Sequence, residues 1–165
     1  MIKLPPKDDD AGAEVRLLLA ECRGPSFSSY KLADATISMQ LMDRVLYNRL
    51  DDPSKFAAKG ATTLGDIIRA PGQFAGFENY PSYDHSIVNR IQAMLNIANS
   101  TKDKRASDFA DFINSAIKVA SDPSIPDPSP GTLAFWRTAG ASSPGSSFKR
   151  HTTVLGNDYY YIPKA

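Results

Sequence analysis

The chain is short of cysteine, of net charge and of long apolar runs, and each shortage removes a class of protein. Its one cysteine, Cys22, excludes an internal disulfide framework, and a place among leucines suits a small core residue rather than a nucleophile. A formal net charge of +1 leaves no basic field able to capture DNA or RNA through their phosphates, so a neutral or mixed polymer fits better than nucleic acid. No stretch approaches the roughly 20 apolar residues of a membrane span. The opening "MIKLPPKDDDAG" has neither the apolar centre nor the small-residue cleavage site of a secretory leader, so a substrate outside the cytoplasm would have to be reached by a route this sequence does not encode. His85 and His151 stand far apart without a Cys or His companion, and neither a metal nor a cofactor is expected.

What is present is enough for a core: 165 residues, 42% of them apolar, fit one domain over 13–163 behind a flexible segment 1–12. Val15, Leu18, Leu19 and Cys22 share one face at helical spacing, which predicts a first helix capped at Asp10 and stopped at Gly24 before Pro25. A second helix, Leu32 to Leu50, carries an inner stripe of Leu32, Ala35, Met39, Met42, Val45 and Leu46 or Arg49, and is expected to be the central one. Thr63 with Asp66 three residues on opens a short helix to Ala70. Two more follow at Ser86 to Ala98 and Ala106 to Ala120. After "SDPSIPDPSPG", whose prolines forbid a helix, "TLAFW" reads as a strand, and "TTVL" and "YYYI" flank a Gly-Asn turn as in a hairpin. The expected fold is therefore α+β, predominantly helical, with a small β element at the C-terminal end.

One acid stands out. Glu21 closes the apolar run "LLLAECRG" in the last turn of the first helix, where desolvation and the negative end of the helix dipole both disfavour its charged form. Those are the conditions of a general acid working near neutral pH, although most glutamates on amphipathic helices are plain surface residues. The loop "PGQFAGFENYPSYDH" mixes aromatics with amides, as a sugar-binding wall does and as an ordinary packed loop also does. Tyr30, Phe74, Phe77, Tyr80, Trp136, Tyr159 and Tyr161 are candidate platforms for sugar rings, of which about half should lie in the core.

The ordered set "ECRG" at 21–24, "YNRL" at 47–50, "PGQFAGF" at 71–77, "SDPSIPDPSPGTLAFW" at 121–136 and "LGNDYYY" at 155–161 resembles the bacterial cell-wall hydrolases related to the spore-cortex-lytic enzyme SleB. The resemblance spans most of the chain and implies a lysozyme-like fold that cleaves the glycan strands of peptidoglycan. The family's Glu-Ala-Arg-Gly motif puts its catalytic acid at Glu21. Its Gln-Phe pair falls on Gln73 and Phe74 beside the sugar, and its Gly-Asn-His-x-Phe-Tyr element on Gly156, Asn157, Asp158, Tyr160 and Tyr161. Of these, Gln73, Phe74, Asn157 and Tyr161 join Tyr30, Trp136 and Tyr159 in the expected substrate wall. Cys22 stands where the family has alanine and Asp158 where it has histidine, so fine specificity does not transfer.

Two chemistries follow from that resemblance. Hydrolysis needs a second carboxylate, for which Glu78, Asp84 and Asp158 are the candidates. A lytic transglycosylase needs only one, which returns as a base and yields a 1,6-anhydro end, and a single strong acid leans the expectation that way. Muramidase or transglycosylase, such an enzyme acts at the cell wall or periplasm. It would arrive there as a toxin delivered into rival bacteria, with a cognate immunity protein in its producer, or as a phage endolysin. A peptidoglycan-binding module with a silent acid is the reading from a different class.

Overall fold

The computed structural model describes all 165 residues. Five α-helices come first: α1 (Asp10–Glu21), α2 (Leu32–Asp51), α3 (Leu64–Arg69), α4 (His85–Ala98) and α5 (Ala106–Ala120), with a single 3-10 turn at Pro53–Phe56 that sequence spacing does not anticipate. Three strands close the chain: β1 (Gly131–Thr138), β2 (Lys149–Val154) and β3 (Asn157–Pro163). About 43% of the residues are helical, so the protein is mixed α/β with its sheet confined to the C-terminal end.

The helix expected to be central, α2, packs against α1, α3, α5, the 3-10 turn and strands β1 and β2, but α1 is the more enclosed of the two. Every residue of α1 from Gly12 to Leu19 is buried, whereas α2 buries one stripe. Val15 and Leu18 join Met39, Met42, Phe112 and Ile113 in one apolar cluster, while Ala13 and Leu17 join Leu46, Ile67, Phe74 and Phe77 in a second. A helix enclosed on all sides is a core helix, and each fully buried Leu or Val contributes roughly 2 kcal/mol. Leu32, assigned to the α2 stripe, lies in its first turn and is 39% exposed. The helix α1 also ends earlier than expected. Cys22 leaves helical backbone so that its side chain can enter the core, which makes Glu21 the last helical residue.

Residues 1–12, set apart by their composition, are tied to the body. Asp10 to Gly12 already belong to α1. Ile2 exchanges two hydrogen bonds with the Asn99 side chain, and Arg16 Nη1 donates to the Pro5 carbonyl at 2.8 Å. Gly12 is required here, since a Cβ would fall on the Pro6 carbonyl. Asp10 reaches across to accept from Leu64 N and Gly65 N, so its carboxylate caps α3 as well as lying at the start of α1. Thr63 and Asp66 complete that cap as the expected reciprocal box.

In the sheet β3 lies between β1 and β2, antiparallel to both. The hairpin turns on Leu155 and Gly156, with φ of 46° and 79°, the left-handed pair that a two-residue primed turn demands. The expected Gly-Asn turn is thus displaced by one residue: Asn157 is the first residue of β3 and pairs with Val154. A bulge in β1 leaves Ala134 unpaired in the ladder, and its carbonyl is free for another partner.

Candidate active site

Where α1 ends, Glu21 borders a pocket of about 240 Å³ walled by the loop that follows, by Arg90 and Met94 of α4 and by Phe109 of α5. The carboxyl is solvent-accessible, yet enough protein surrounds it that desolvation raises its pKa above the ordinary carboxyl range. The Trp136 indole N–H and the Arg90 guanidinium pull the other way without cancelling that rise. Glu21 thus combines access with a reluctance to ionise, which is what proton donation near neutral pH requires. A larger hollow of about 550 Å³ lies between the N-terminal residues and α4, but no carboxylate lines it.

Sequence-distant stretches meet behind Trp136, and Arg49 joins them. This buried guanidinium donates to the Ala134 carbonyl freed by the bulge, from Nε at 3.1 Å and Nη2 at 3.0 Å, and to Gln73 Oε1 from Nη1 at 2.7 Å. No carboxylate compensates it. Instead the rings of Phe135, Phe74 and Phe56 lie 4.5, 5.3 and 5.9 Å from its centre, and burial lowers its pKa to about 10, which leaves it charged at neutral pH. Phe74 in turn stacks on Trp136. One residue earlier in α2, Asn48 donates to Asp127 Oδ2 and to the Leu133 carbonyl, which anchors the proline-rich segment and the start of β1. Arg23, in the loop after α1, lies against the hairpin turn, so closely that a Cβ on Gly156 would collide with the guanidinium.

The expected substrate wall divides under this geometry. Trp136 and Tyr161 remain half-buried and available to a ligand, as does Gln73, although its amide oxygen is already committed to Arg49. Tyr30 is half-buried edge-on to Phe112, with its hydroxyl enclosed and unpartnered. Three residues are corrected. Tyr159 is 0% exposed and its hydroxyl serves Ser38, accepting from Oγ at 2.5 Å while donating to the carbonyl at 3.1 Å, so it cannot touch a sugar. Phe74 is a core ring behind Trp136. Asn157 is buried with its amide toward Tyr159.

The three candidates for a second carboxylate are each engaged by nearby backbone or hydroxyl groups. Asp84 caps α4 through Ser86 N at 2.8 Å, Glu78 accepts from Gly76 N at 3.1 Å, and Asp158 accepts from the Thr153 hydroxyl and Gly140 N. Cys22 is the core residue expected, its thiol pushed up to about 12 by burial.

Sequence spacing does not single out Arg49 or Arg90 as site residues. "YNRL" is one signal for the first; nothing local distinguishes the second, which reaches Glu21 only through the packing of α4 on α1. Compared with protein-family models, with curated proteins and with solved structures, the chain matches none.

Proposed function

We propose that the protein cleaves peptidoglycan at the β-1,4 bond between N-acetylmuramic acid and N-acetylglucosamine, with Glu21 as general acid, as its resemblance to the SleB-related hydrolases implies. The observation that carries this reading is an accessible carboxyl, its pKa raised by desolvation, at the end of a core helix and beside an indole. An acid at a helix terminus, in a mostly helical body with a small sheet, also suits a lysozyme-like fold.

The chemistry needs one carboxyl. Protonated Glu21 gives its proton to the glycosidic oxygen as the bond from C1 breaks. The resulting carboxylate takes the proton of the muramic acid 6-hydroxyl, whose oxygen closes onto C1 as a 1,6-anhydro sugar. Atoms balance without water, and Glu21 ends protonated. That Glu78, Asp84 and Asp158 are already engaged by nearby backbone or hydroxyl groups favours this transglycosylase route over hydrolysis. Action on rival cell walls, after delivery and with an immunity protein in the producer, is the biological setting proposed.

Purified sacculi incubated with wild type and with Glu21→Gln provide the test. Wild type should release fragments with anhydro ends by mass spectrometry, and the variant should be slower by about 100- to 10,000-fold. Equal solubilisation by both chains would overturn the assignment.

A further inference from the structure

The pocket beside Glu21 holds two guanidinium groups and no acid other than Glu21. Arg23 lies 5.1 Å from the Phe27 ring, and Arg90 Nη2 donates to the Ala20 carbonyl at 3.1 Å. Neither forms an ion pair: the chain's salt bridges join Arg69 to Asp66 and Arg105 to Asp103. Two cations without an ion pair beside a single carboxyl leave the pocket with an excess of positive charge, in a chain whose net charge is only +1. A groove made for uncharged sugar alone has no need of them. The floor between them is apolar, formed by Met94 and Phe109. Its volume of about 240 Å³ falls below that of ordinary small-ligand sites, so it suits a side group rather than a sugar ring.

Resting on the proposed function, we infer that this pocket is an anion subsite, in which Arg23 and Arg90 hold a carboxylate borne on a short aliphatic arm of the sugar bound at Glu21. Guanidinium presents paired donors that match a carboxylate, and the apolar floor takes the arm's methyl or methylene groups. Two parts of peptidoglycan offer this chemistry: the lactyl carboxyl of muramic acid once its peptide is removed, and the carboxylates of the attached peptide.

Binding separates these sources. The Glu21→Gln chain, which should hold strands without cutting them, is titrated with soluble glycan strands bearing their peptides, with amidase-stripped strands, and with both after their carboxyls are capped by carbodiimide and ethanolamine. The emission of Trp136, the sole tryptophan, is the readout. Capping should weaken binding about tenfold or more, and adding Arg23→Gln and Arg90→Gln should make binding indifferent to capping. Stronger binding of stripped strands assigns the lactyl carboxyl; stronger binding of intact strands assigns the peptide. If capped and uncapped strands bind the Glu21→Gln chain equally while wild type still cleaves sacculi, the subsite is wrong and the proposed function stands. If wild type cleaves nothing yet carboxylate binding depends on the two arginines, the proposed function fails and the subsite stands. No binding of any strand by the folded Glu21→Gln chain overturns the subsite.

Discussion

The indole of Trp136 stacks on the ring of Phe74, with centroids 5.3 Å apart and planes 24° from parallel. Phe74 is 5% exposed and faces the Arg49 guanidinium on its way to the core, so the only indole in the chain is held from behind by a buried ring rather than by its own strand alone. That places Phe74 in a positioning role, one step removed from any ligand. Phe74→Ala should cost about 3–5 kcal/mol in urea unfolding, the range for deleting a buried aromatic. It should also move Trp136 emission to the red and slow the release of wall fragments. Phe74→Leu, which refills most of the space, should recover stability more fully than activity. An unchanged emission maximum in the folded Phe74→Ala chain would mean that the stack does not hold the indole.

A different pair governs stability. Glu14 of α1 and Asp43 of α2 are 0% and 2% exposed, and they face one another with no cation between them. Burial raises both, and the neighbouring Asp43 carboxylate raises Glu14 further, to about 10, so Glu14 holds a proton at neutral pH. Asp10 from α1 adds to the rise of Glu14, while Arg44 and Asp122 act on Asp43 in opposite senses. The folded state thus binds a proton that the unfolded chain releases near pH 4.5. The contribution is fully present below that pH and is lost as pH rises toward 10, at a slope of about 1.4 kcal/mol per pH unit. Glu14→Gln keeps an N–H donor for Asp43 and removes the titration. Urea unfolding at pH 5, 7 and 9 should show wild type losing stability relative to Glu14→Gln at each step. Parallel curves for the two chains would show that Glu14 is ionised in the folded protein.

Residues whose role is set by their neighbours in sequence are the legible ones. Thr63 and Asp66 form their capping box because both partners lie within one turn, and the apolar spacing of α4 and α5 announces those helices directly. Glu21 is legible as an acid under stress because both stresses are local, an apolar run and a helix end. Where spacing misleads, the deciding contact comes from elsewhere in the chain. Glu14 looks like a solvated residue on an amphipathic helix, and it is buried only because α1 is enclosed on every side. Tyr159 looks like a sugar platform until Ser38, 121 positions away, takes its hydroxyl. Arg49 stands next to Asp51 and Asp52 in sequence but pairs with neither, and its partners are a carbonyl freed by a strand bulge and three rings from separate stretches of chain. Such partners are set by tertiary packing, which spacing does not encode.

The last relationship concerns Arg90 and the proton on Glu21. A general acid works while protonated, so activity falls as pH rises through its pKa, and a raised pKa places that fall above the ordinary carboxyl range. Arg90 opposes the rise by favouring the charged form. Arg90→Gln should therefore shift the alkaline limb of kcat/KM upward, and Trp136→Phe, which removes the indole N–H, should shift it the same way. If the pocket also takes a carboxylate, bound substrate offsets the Arg90 charge in wild type, and the alkaline limb of kcat should lie above that of kcat/KM. In Arg90→Gln the two limbs should draw together, since there is less charge left to offset. Rates of wall solubilisation measured across the acid-to-alkaline range at low and saturating substrate test both statements. A downward shift of the kcat/KM limb in Arg90→Gln would show that the protonated Glu21 carboxyl is not what limits the reaction at high pH.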